Sequence, residues 1–286
     1  MEKNRALDSH TILFGVFGDP VRHSRSPVML NQAFQVAGLN HAYAAFHVEP
    51  PALGDAVRGI RALGFRGVNV TIPHKVEVMQ YLDEIDEGAR VIGAVNTIVN
   101  ENGKLIGYNT DGIGYVRSLK EETGIDIRGK RIVLLGAGGA ARGVAYALAK
   151  EAPAEICIAN RTKEKAIDLA EAIGAYTSTR GMGLNELRDA VSEADIIVNT
   201  TSSGMHPHVG DVPMPVEWIS SRHLCSDLIY NPRITRFLQE AEKNGARIHG
   251  GLGMFIYQGA YAFEYWTGVT APVSAMRQVV EQSLAE

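Results

Sequence analysis

The stretch RIVLLGAGGAARGVAYALAK, residues 131–150, constrains the fold more than any other part of the chain. Ile132 to Leu135 form an apolar run of the kind found in a strand buried on both faces. Gly136, Gly138 and Ala141 then fit G-x-G-x-x-G/A, and the helical pattern GAARGVAYALAK follows at once. A first glycine makes the tight turn. A second lets the backbone approach a pyrophosphate resting on the helix N-terminus, and a small third residue lets helix and strand pack closely. By itself a glycine pattern could be only a flexible turn. Between a strand and a helix it predicts a dinucleotide cradle built from Gly136, Ala137, Gly138, Gly139, Ala140 and Ala141. EICIAN, DIIVNTT and HLCSDLIY are further apolar runs, separated by helical stretches such as TKEKAIDLAEAIG. Repeated βα units with apolar strands predict a parallel sheet covered on both faces.

The run after the cradle selects the cofactor. EICIAN ends at Asn160, about where an NAD site carries Asp or Glu for the ribose diol. No acid stands there, and the chain continues Arg161-Thr162-Lys163-Glu164-Lys165. Arg161 can stack on or pair with a ribose 2′-phosphate, and Lys165 adds charge one turn later. The composition favours NADP over NAD. Thr162 also reads as a helix cap with solvated cations around it, and the two readings are compatible.

The first third has a different order. ILFGVFG, HAYAAFHV and VNVTI read as strands. SPVMLNQAFQVAGL reads as a helix with Ser26 as N-cap and Pro27 in the first turn, and PALGDAVRGIRALG as a helix ending at Gly64. HKVEVMQYL is expected to open another helix. TIVNE and KLIGY flank Asn102-Gly103, a strong hairpin signal. The chain closes with ARIHGG and two helices, LGMFIYQGAYAFEYW and PVSAMRQVVEQSLA.

Polar residues gather at the ends of these first strands. In GVNVTIPHK, Asn69 and Thr71 alternate with Val68, Val70 and Ile72, and Lys75 stands just beyond. Ser24 and Ser26 in GDPVRHSRSP, Asn96 and Asp111 complete the set. Each also has an ordinary local use, as cap or turn residue. Together, at the ends of strands where open α/β sheets bind ligands, they suit a polyhydroxylated anion. Amides and hydroxyls would read ring hydroxyls, and serines a carboxylate.

The chain resembles the shikimate dehydrogenases. The resemblance rests on GDPVRHSRSP, GVNVTIPHK, GAVNTIV, YNTDGIG, GAGGAA, NRTKEKA, NTTSSGM, DLIYNP and GLGMFIYQGAYAFEYWTG, in order from about residue 15 to 268. It implies two α/β domains flanking a cleft, the second a Rossmann-type NADP-binding domain. It also implies reversible NADPH-dependent reduction of 3-dehydroshikimate to shikimate, in aromatic amino-acid biosynthesis. Carried over by position, Ser24 and Ser26 would hold the substrate carboxylate, and Asn69, Thr71, Asn96 and Gln258 the ring hydroxyls. Lys75 and Asp111 would be the catalytic pair. Besides the glycine loop and Asn160 to Lys165, the cofactor side would include Thr200, Leu228, Gly251 and Met254. Tyr230, counted with the substrate contacts, would neighbour the nicotinamide. Phe255 stands where many members have Leu, a packing change not expected to touch the chemistry. The implied boundaries are 1–110 plus 245–286 for the substrate domain and 111–244 for the NADP domain.

Two rivals are worth separating. A quinate or dual quinate/shikimate dehydrogenase, sometimes NAD-linked, would have to accommodate an extra hydroxyl. Ser26 with Thr71 favours the shikimate type. A non-catalytic NADP or metabolite sensor could lose Lys75 or Asp111, and both are present. A net charge of −4 argues against nucleic-acid or anionic-membrane partners. No metal site is expected, His206-Pro207-His208 being the one close histidine pair. The polar start MEKNRALDSH lacks a signal-peptide core, and Cys157 and Cys225 lie in apolar runs as reduced core thiols, so a cytoplasmic monomer or homodimer acting on a small molecule is expected.

Overall fold

The computed structural model of the chain describes residues 7–285; the first six residues of MEKNRALDSH lie outside them. Two compact units result. One holds the residues up to Thr110 and those from Ile256 on, and the other runs from Asp111 to Phe255.

The first unit is built on a six-stranded sheet, β1 (Ile12–Gly18), β2 (His41–His47), β3 (Gly67–Val70), β4 (Glu84–Ile85), β5 (Thr97–Glu101) and β6 (Lys104–Tyr108), in the order β2-β1-β3-β5-β6-β4. Helices α1 (Ser26–Val36) and α2 (Leu53–Ala62) make the crossovers that keep β1, β2 and β3 parallel. β5 and β6 run antiparallel through the Asn102-Gly103 turn, whose φ values of 53° and 96° are those of a type I′ hairpin. A short helix, α3 (Glu87–Ile92), precedes β5 and is capped by Asp86.

The C-terminal return belongs to this unit for a packing reason. Trp266 donates its indole N–H to the Ile98 carbonyl at 2.9 Å. It lies so close over Gly67 that a Cβ there would sit 2.0 Å from the indole nitrogen. Phe14 packs on Trp266 and on Phe34, and Phe34 on Phe263. The opposite face of the sheet buries Phe17, Val68 and Val70 against Leu53, Val57 and Ile60 of α2.

In the second unit, α4 (Asp111–Thr123) leads into β7 (Arg131–Leu135), α5 (Gly139–Ala149), β8 (Glu155–Asn160), α6 (Lys163–Ile173), β9 (Thr179–Gly183), α7 (Leu187–Glu193), β10 (Ile196–Asn199), β11 (Leu224–Asp227), α8 (Arg236–Lys243) and β12 (Arg247–His249). All neighbours pair in parallel, in the order β9-β8-β7-β10-β11-β12. That is the doubly wound 3-2-1-4-5-6 order, with its topological switch between β7 and β10. Two apolar clusters fill its two faces. α9 (Leu252–Thr267) starts in this unit and ends in the first, where α10 (Val273–Ala285) follows. No helix among the described residues is long and apolar enough to cross a membrane.

Three local expectations are corrected. The segment HKVEVMQYL is a set of turns and a 3-10 helix over Glu77–Tyr81, because among its apolar residues only Val78 is fully buried while Val76 is left 64% exposed, which gives no inward helical stripe. Ser26 is the first helical residue of α1 rather than its cap, which is Arg25 and makes no side-chain cap bond. The second unit extends past residue 244, since Arg247–His249 adds an edge strand beside β11; the return to the first unit comes at Ile256.

Candidate active site

The first unit assembles its polar residues at the ends of β1 and β3. The turn after β1 closes by Ser24 N–H donating to Val21 O at 3.0 Å, and Ser24 Oγ accepts from Ser26 N–H at 3.3 Å. Asn69 is buried in β3, where Tyr43 Oη donates to its Oδ1 at 2.8 Å. Its Nδ2 donates to the Asn96 carbonyl at 3.2 Å and to Thr97 Oγ1 at 3.1 Å. Asn96 is oriented in turn by Thr110, whose N–H donates to Asn96 Oδ1 at 2.8 Å and whose hydroxyl accepts from Asn96 Nδ2 at 3.0 Å. Thr71 follows β3, its N–H on Phe17 O at 2.9 Å and its methyl where a Cβ on Gly18 would be, 2.4 Å away.

Lys75 is held by its neighbours. The His74 ring is buried and its Nε2 meets Val48 O at 2.6 Å. Lys75 O accepts from Val95 N–H at 2.7 Å, which ties the lysine to the residue next to Asn96. The lysine side chain is half-buried. Gln258 lies on the part of α9 that belongs to this unit, beside Gly259, which packs against Met29 of α1.

The second unit presents its candidates along the carboxyl edge of the parallel sheet. Gly136 has φ +108°, and a Cβ there would lie 2.6 Å from Thr200 Oγ1 across the β7/β10 switch. Only glycine meets both conditions. Gly138 caps α5 in an extended conformation, and a Cβ on Gly138 or Gly139 would meet nothing within 4 Å, so the helix N-terminus is open to an anion. Ala137 and Ala141 are buried, Ala141 completely, while Ala140 is exposed. At the end of β8, Asn160 Nδ2 donates to Thr162 O at 2.9 Å. Thr162 is the N-cap of α6 by position, without a side-chain cap bond. Arg161 and Lys165 are exposed and make no ion pair among the described residues, whereas Lys163 pairs with Glu186 at 2.5 Å. Open glycines at a helix N-terminus, two cations without acidic partners and no carboxylate at Asn160 fit a dinucleotide bearing a 2′-phosphate.

Thr200 Oγ1 donates to Leu135 O at 2.7 Å. Gly251 approaches so closely that a Cβ would sit 2.1 Å from Leu228 O. Tyr230 is partly exposed, and Phe255 stacks on it with centroids 4.8 Å apart. Met254 is 9% exposed and packs in the core. Asp111 is the first residue of α4 and is buried. His206 and His208 lie on an exposed loop.

Several supporting residues carry no sequence pattern that singles them out: Tyr43, His74, Thr97, Asn199 and Asp227. Asp227 is completely buried and accepts from Asn199 Nδ2 at 3.1 Å, Thr235 Oγ1 at 2.8 Å and Ile229 N–H at 3.0 Å. It thereby joins the loops after β10 and β11 that carry Thr200 and Leu228. Burial pushes its carboxyl up to about 6, against the pull of those hydrogen bonds. An acid with a raised folded pKa binds its proton more tightly when folded, so stability falls as pH rises from about 4 to about 6 and is level above. The charged form costs about 3 kcal/mol at neutral pH on this basis. Asp227→Asn stays neutral but turns an amide toward Asn199 and Thr235. Its destabilisation is therefore expected to be about 2–3 kcal/mol smaller at pH 7 than at pH 4. Denaturant titrations of both proteins at the two pH values check this, and a pH-independent difference would contradict it.

Comparison with known proteins matches three family models along the chain. They are the shikimate dehydrogenase substrate binding domain over residues 16–98, shikimate/quinate 5-dehydrogenase over 118–211, and the shikimate 5′-dehydrogenase C-terminal domain over 251–281. A shikimate dehydrogenase (NADP(+)) of Geobacillus sp. (strain WCH70) is 52% identical over 272 residues, covering 95% of this chain and 98% of that protein. Among solved structures, a shikimate dehydrogenase in complex with NADP+ matches with a TM-score of 0.92 at 46% identity, over 98% of each chain. A shikimate 5-dehydrogenase from Listeria monocytogenes, in complex with shikimate and NAD, also gives 0.92, at 38% identity over 96% of this chain and 98% of that one. With the doubly wound sheet, the glycine cradle and this identity along almost its whole length, the chain belongs to the shikimate dehydrogenase family.

Proposed function

We propose that the protein is an NADP-dependent shikimate dehydrogenase, interconverting 3-dehydroshikimate and shikimate. The observation that carries this reading is the hydrogen-bonded series through Tyr43, Asn69, Thr97 and Asn96 in the unit that also holds Lys75. Such a series presents hydroxyls and amides in fixed orientations, as recognition of a polyhydroxylated ring requires.

Bound NADPH supplies the hydride, and Gly136 to Ala141, Arg161 and Lys165 are the residues that would hold it. Ser24 and Ser26 grip the substrate carboxylate, and Asn69, Thr71, Asn96 and Gln258 orient the ring. Tyr230, Gly251 and Met254 belong to the nicotinamide end, with Thr200 and Leu228 on the adjoining loops. The Lys75 ammonium lies against the ketone oxygen, stabilises the negative charge that grows there, and delivers its proton to that oxygen. Asp111 orients the lysine and shares the proton traffic with it, and in the reverse direction the neutral lysine takes the proton back from the alcohol. Two free, buried cysteines, Cys157 and Cys225, suit a reducing cytoplasm.

The direct test is NADPH oxidation with 3-dehydroshikimate, run beside NAD with quinate. Rapid turnover in the first and little in the second is expected, and the opposite ranking would overturn the reading. Cofactor choice has its own test. Arg161→Ala should raise the KM for NADP by about tenfold or more, the scale of one lost charge-assisted contact, and leave that for NAD nearly unchanged. Equal losses with both cofactors would remove Arg161 from the 2′-phosphate site.

A further inference from the structure

Asn199 closes β10 and Asp227 closes β11, and both are completely buried. The amide of Asn199 has one possible orientation. Its Oδ1 faces two donors, the Thr201 N–H at 3.0 Å and the Thr201 hydroxyl at 2.7 Å. Its Nδ2 therefore spends one hydrogen on Ser203 O and the other on Asp227 Oδ2, each at 3.1 Å. Asp227 Oδ2 also accepts from the Thr235 hydroxyl at 2.8 Å, and Oδ1 from Ile229 N–H at 3.0 Å. Each of these partners is a donor, which suits a carboxylate that only accepts.

The pair stands between the two ends of the cofactor site. After Asn199 comes Thr200, whose N–H and hydroxyl both donate to Leu135 O and whose Oγ1 leaves no room for a Cβ on Gly136. Thr200 is thereby registered on the glycine cradle. After Asp227 comes Leu228, whose carbonyl lies where a Cβ on Gly251 would be, and Gly251 N–H donates to Ile229 O at 3.3 Å. Ile229 is the residue whose N–H Asp227 holds. A continuous series of contacts thus runs from Gly136 through Thr200, Asn199 and Asp227 to Leu228, Ile229 and Gly251. It starts where a pyrophosphate would rest and ends at the residues assigned to the nicotinamide. At its middle are one main-chain bond, Leu228 N–H on Asn199 O at 3.1 Å, and one bond between side chains, amide to carboxylate.

We infer that Asn199 and Asp227 are positioning residues for the nicotinamide half of the cofactor: the bond between them fixes how the loop at the nicotinamide end stands relative to the cradle that holds the pyrophosphate. This rests on the function proposed above. Both act through their neighbours, Asn199 through Thr200 and Asp227 through Leu228 and Ile229. The two halves of the cofactor therefore depend on the pair to different degrees. The 2′-phosphate and the pyrophosphate are held by Arg161 and the N-terminus of α5, which follow β8 and β7 and owe nothing to this bond. The nicotinamide ring owes its place to it. Hydride transfer is steep in distance and angle, so a small displacement of that ring reaches turnover.

The test separates the two halves with NADP and with 2′-phospho-ADP, which carries the 2′-phosphate and the pyrophosphate and ends there. Asp227→Asn sets an amide N–H against the Asn199 and Thr235 donors, whereas Asn199→Ala removes the bridge and leaves Asp227 its other donors. Each variant is expected at pH 7 to raise the Kd for NADP about tenfold, the scale of one buried hydrogen bond to a charged group, and to lower kcat at saturating NADP about tenfold or more. The Kd for 2′-phospho-ADP should stay within about twofold. Thr235→Val is the control for a merely structural role. It takes another donor from the same carboxylate, at the cap of α8, and should lower Tm without moving the ratio of the two Kd values by more than about twofold. Equal changes for NADP and 2′-phospho-ADP, an unchanged NADP Kd in a folded variant, or a ratio that moves as far in Thr235→Val overturns the inference. Should Asp227→Asn not fold, Asn199→Ala decides by the same ratio. A wild-type protein that binds NADP but does not act on shikimate would overturn the proposed function and leave the Kd ratio as the test of the pair; one that does not bind NADP would overturn both.

Discussion

Lys75→Ala is expected to lose at least about a thousandfold in turnover while its affinity for shikimate stays within a modest factor. General acid–base assistance is typically worth about 10²–10⁴-fold, and stabilisation of the developing oxyanion adds to it. On the proposed mechanism one ammonium supplies both, so one substitution removes both. The backbone reasons for its precision are local. His74 is buried on Val48 O, Val78 N–H donates to His74 O at 2.9 Å, and Val95 N–H donates to Lys75 O at 2.7 Å. The stem of the lysine thus leaves a fixed point between β3 and β5. Lys75→Arg should not restore turnover, because a guanidinium stays protonated and its fork places the charge elsewhere. Steady-state kcat, with shikimate Kd measured separately by calorimetry, separates chemistry from binding. Near-normal turnover in a folded Lys75→Ala protein would leave Asp111 as the acid–base group.

The parts of the fold legible in the sequence are those where local pattern and tertiary packing agree. RIVLL, EICIAN and the GAGGAA turn form the strands and loop that their apolar runs and glycines imply, and Asn102-Gly103 makes the hairpin. HKVEVMQYL misleads because a helix-compatible alternation of valines says nothing about which of them has a core to face; only Val78 does. β12 depends on its surroundings in a related way. Three residues, Arg247–His249, become a strand only because β11 offers an open edge, which is a property of the sheet.

The candidate site shows the same division. Residues that would touch ligand, such as Asn69, Thr71 and Lys75, stand out because polar side chains interrupt apolar strands at their ends. Residues that hold them in place do not stand out. Tyr43 looks like any aromatic on a strand, and Asp227 like a stray acid after an apolar run. Their partners, Asn69 for one and Asn199 and Thr235 for the other, are brought near by the fold alone. The ionisation of Asp227 likewise follows from its burial rather than from its neighbours in sequence.

Gly112→Ala should be a severely damaging single methyl in the second unit. A Cβ on Gly112 would lie 2.0 Å from Gly143 O and 2.9 Å from the Ala147 methyl, so α4 and α5 are packed backbone to backbone. The nearest obstacle is a main-chain carbonyl of a helix, which cannot rotate away as a side chain can. α4 must therefore shift, and it is anchored farther along by Tyr115 Oη donating to Ser226 Oγ at 3.0 Å and by Ser118 Oγ against His249 Nε2 at 2.8 Å. Overpacking of this kind costs about 2–4 kcal/mol, or roughly 5–12 °C in Tm for a unit of this size. The movement is greatest at the start of α4, where Asp111 sits, so kcat should fall about tenfold or more as well. Gly59→Ala is the matched control. Gly59 is also helical, in α2, but a Cβ there meets only the end of Leu63 at 3.9 Å. Relieving glycine's backbone entropy at that position should raise stability by about 0.5–1 kcal/mol and leave kcat alone. Thermal melts and kcat of the two variants decide the matter: if Gly112→Ala melts and turns over like Gly59→Ala, the α4–α5 contact is not what fixes the position of Asp111.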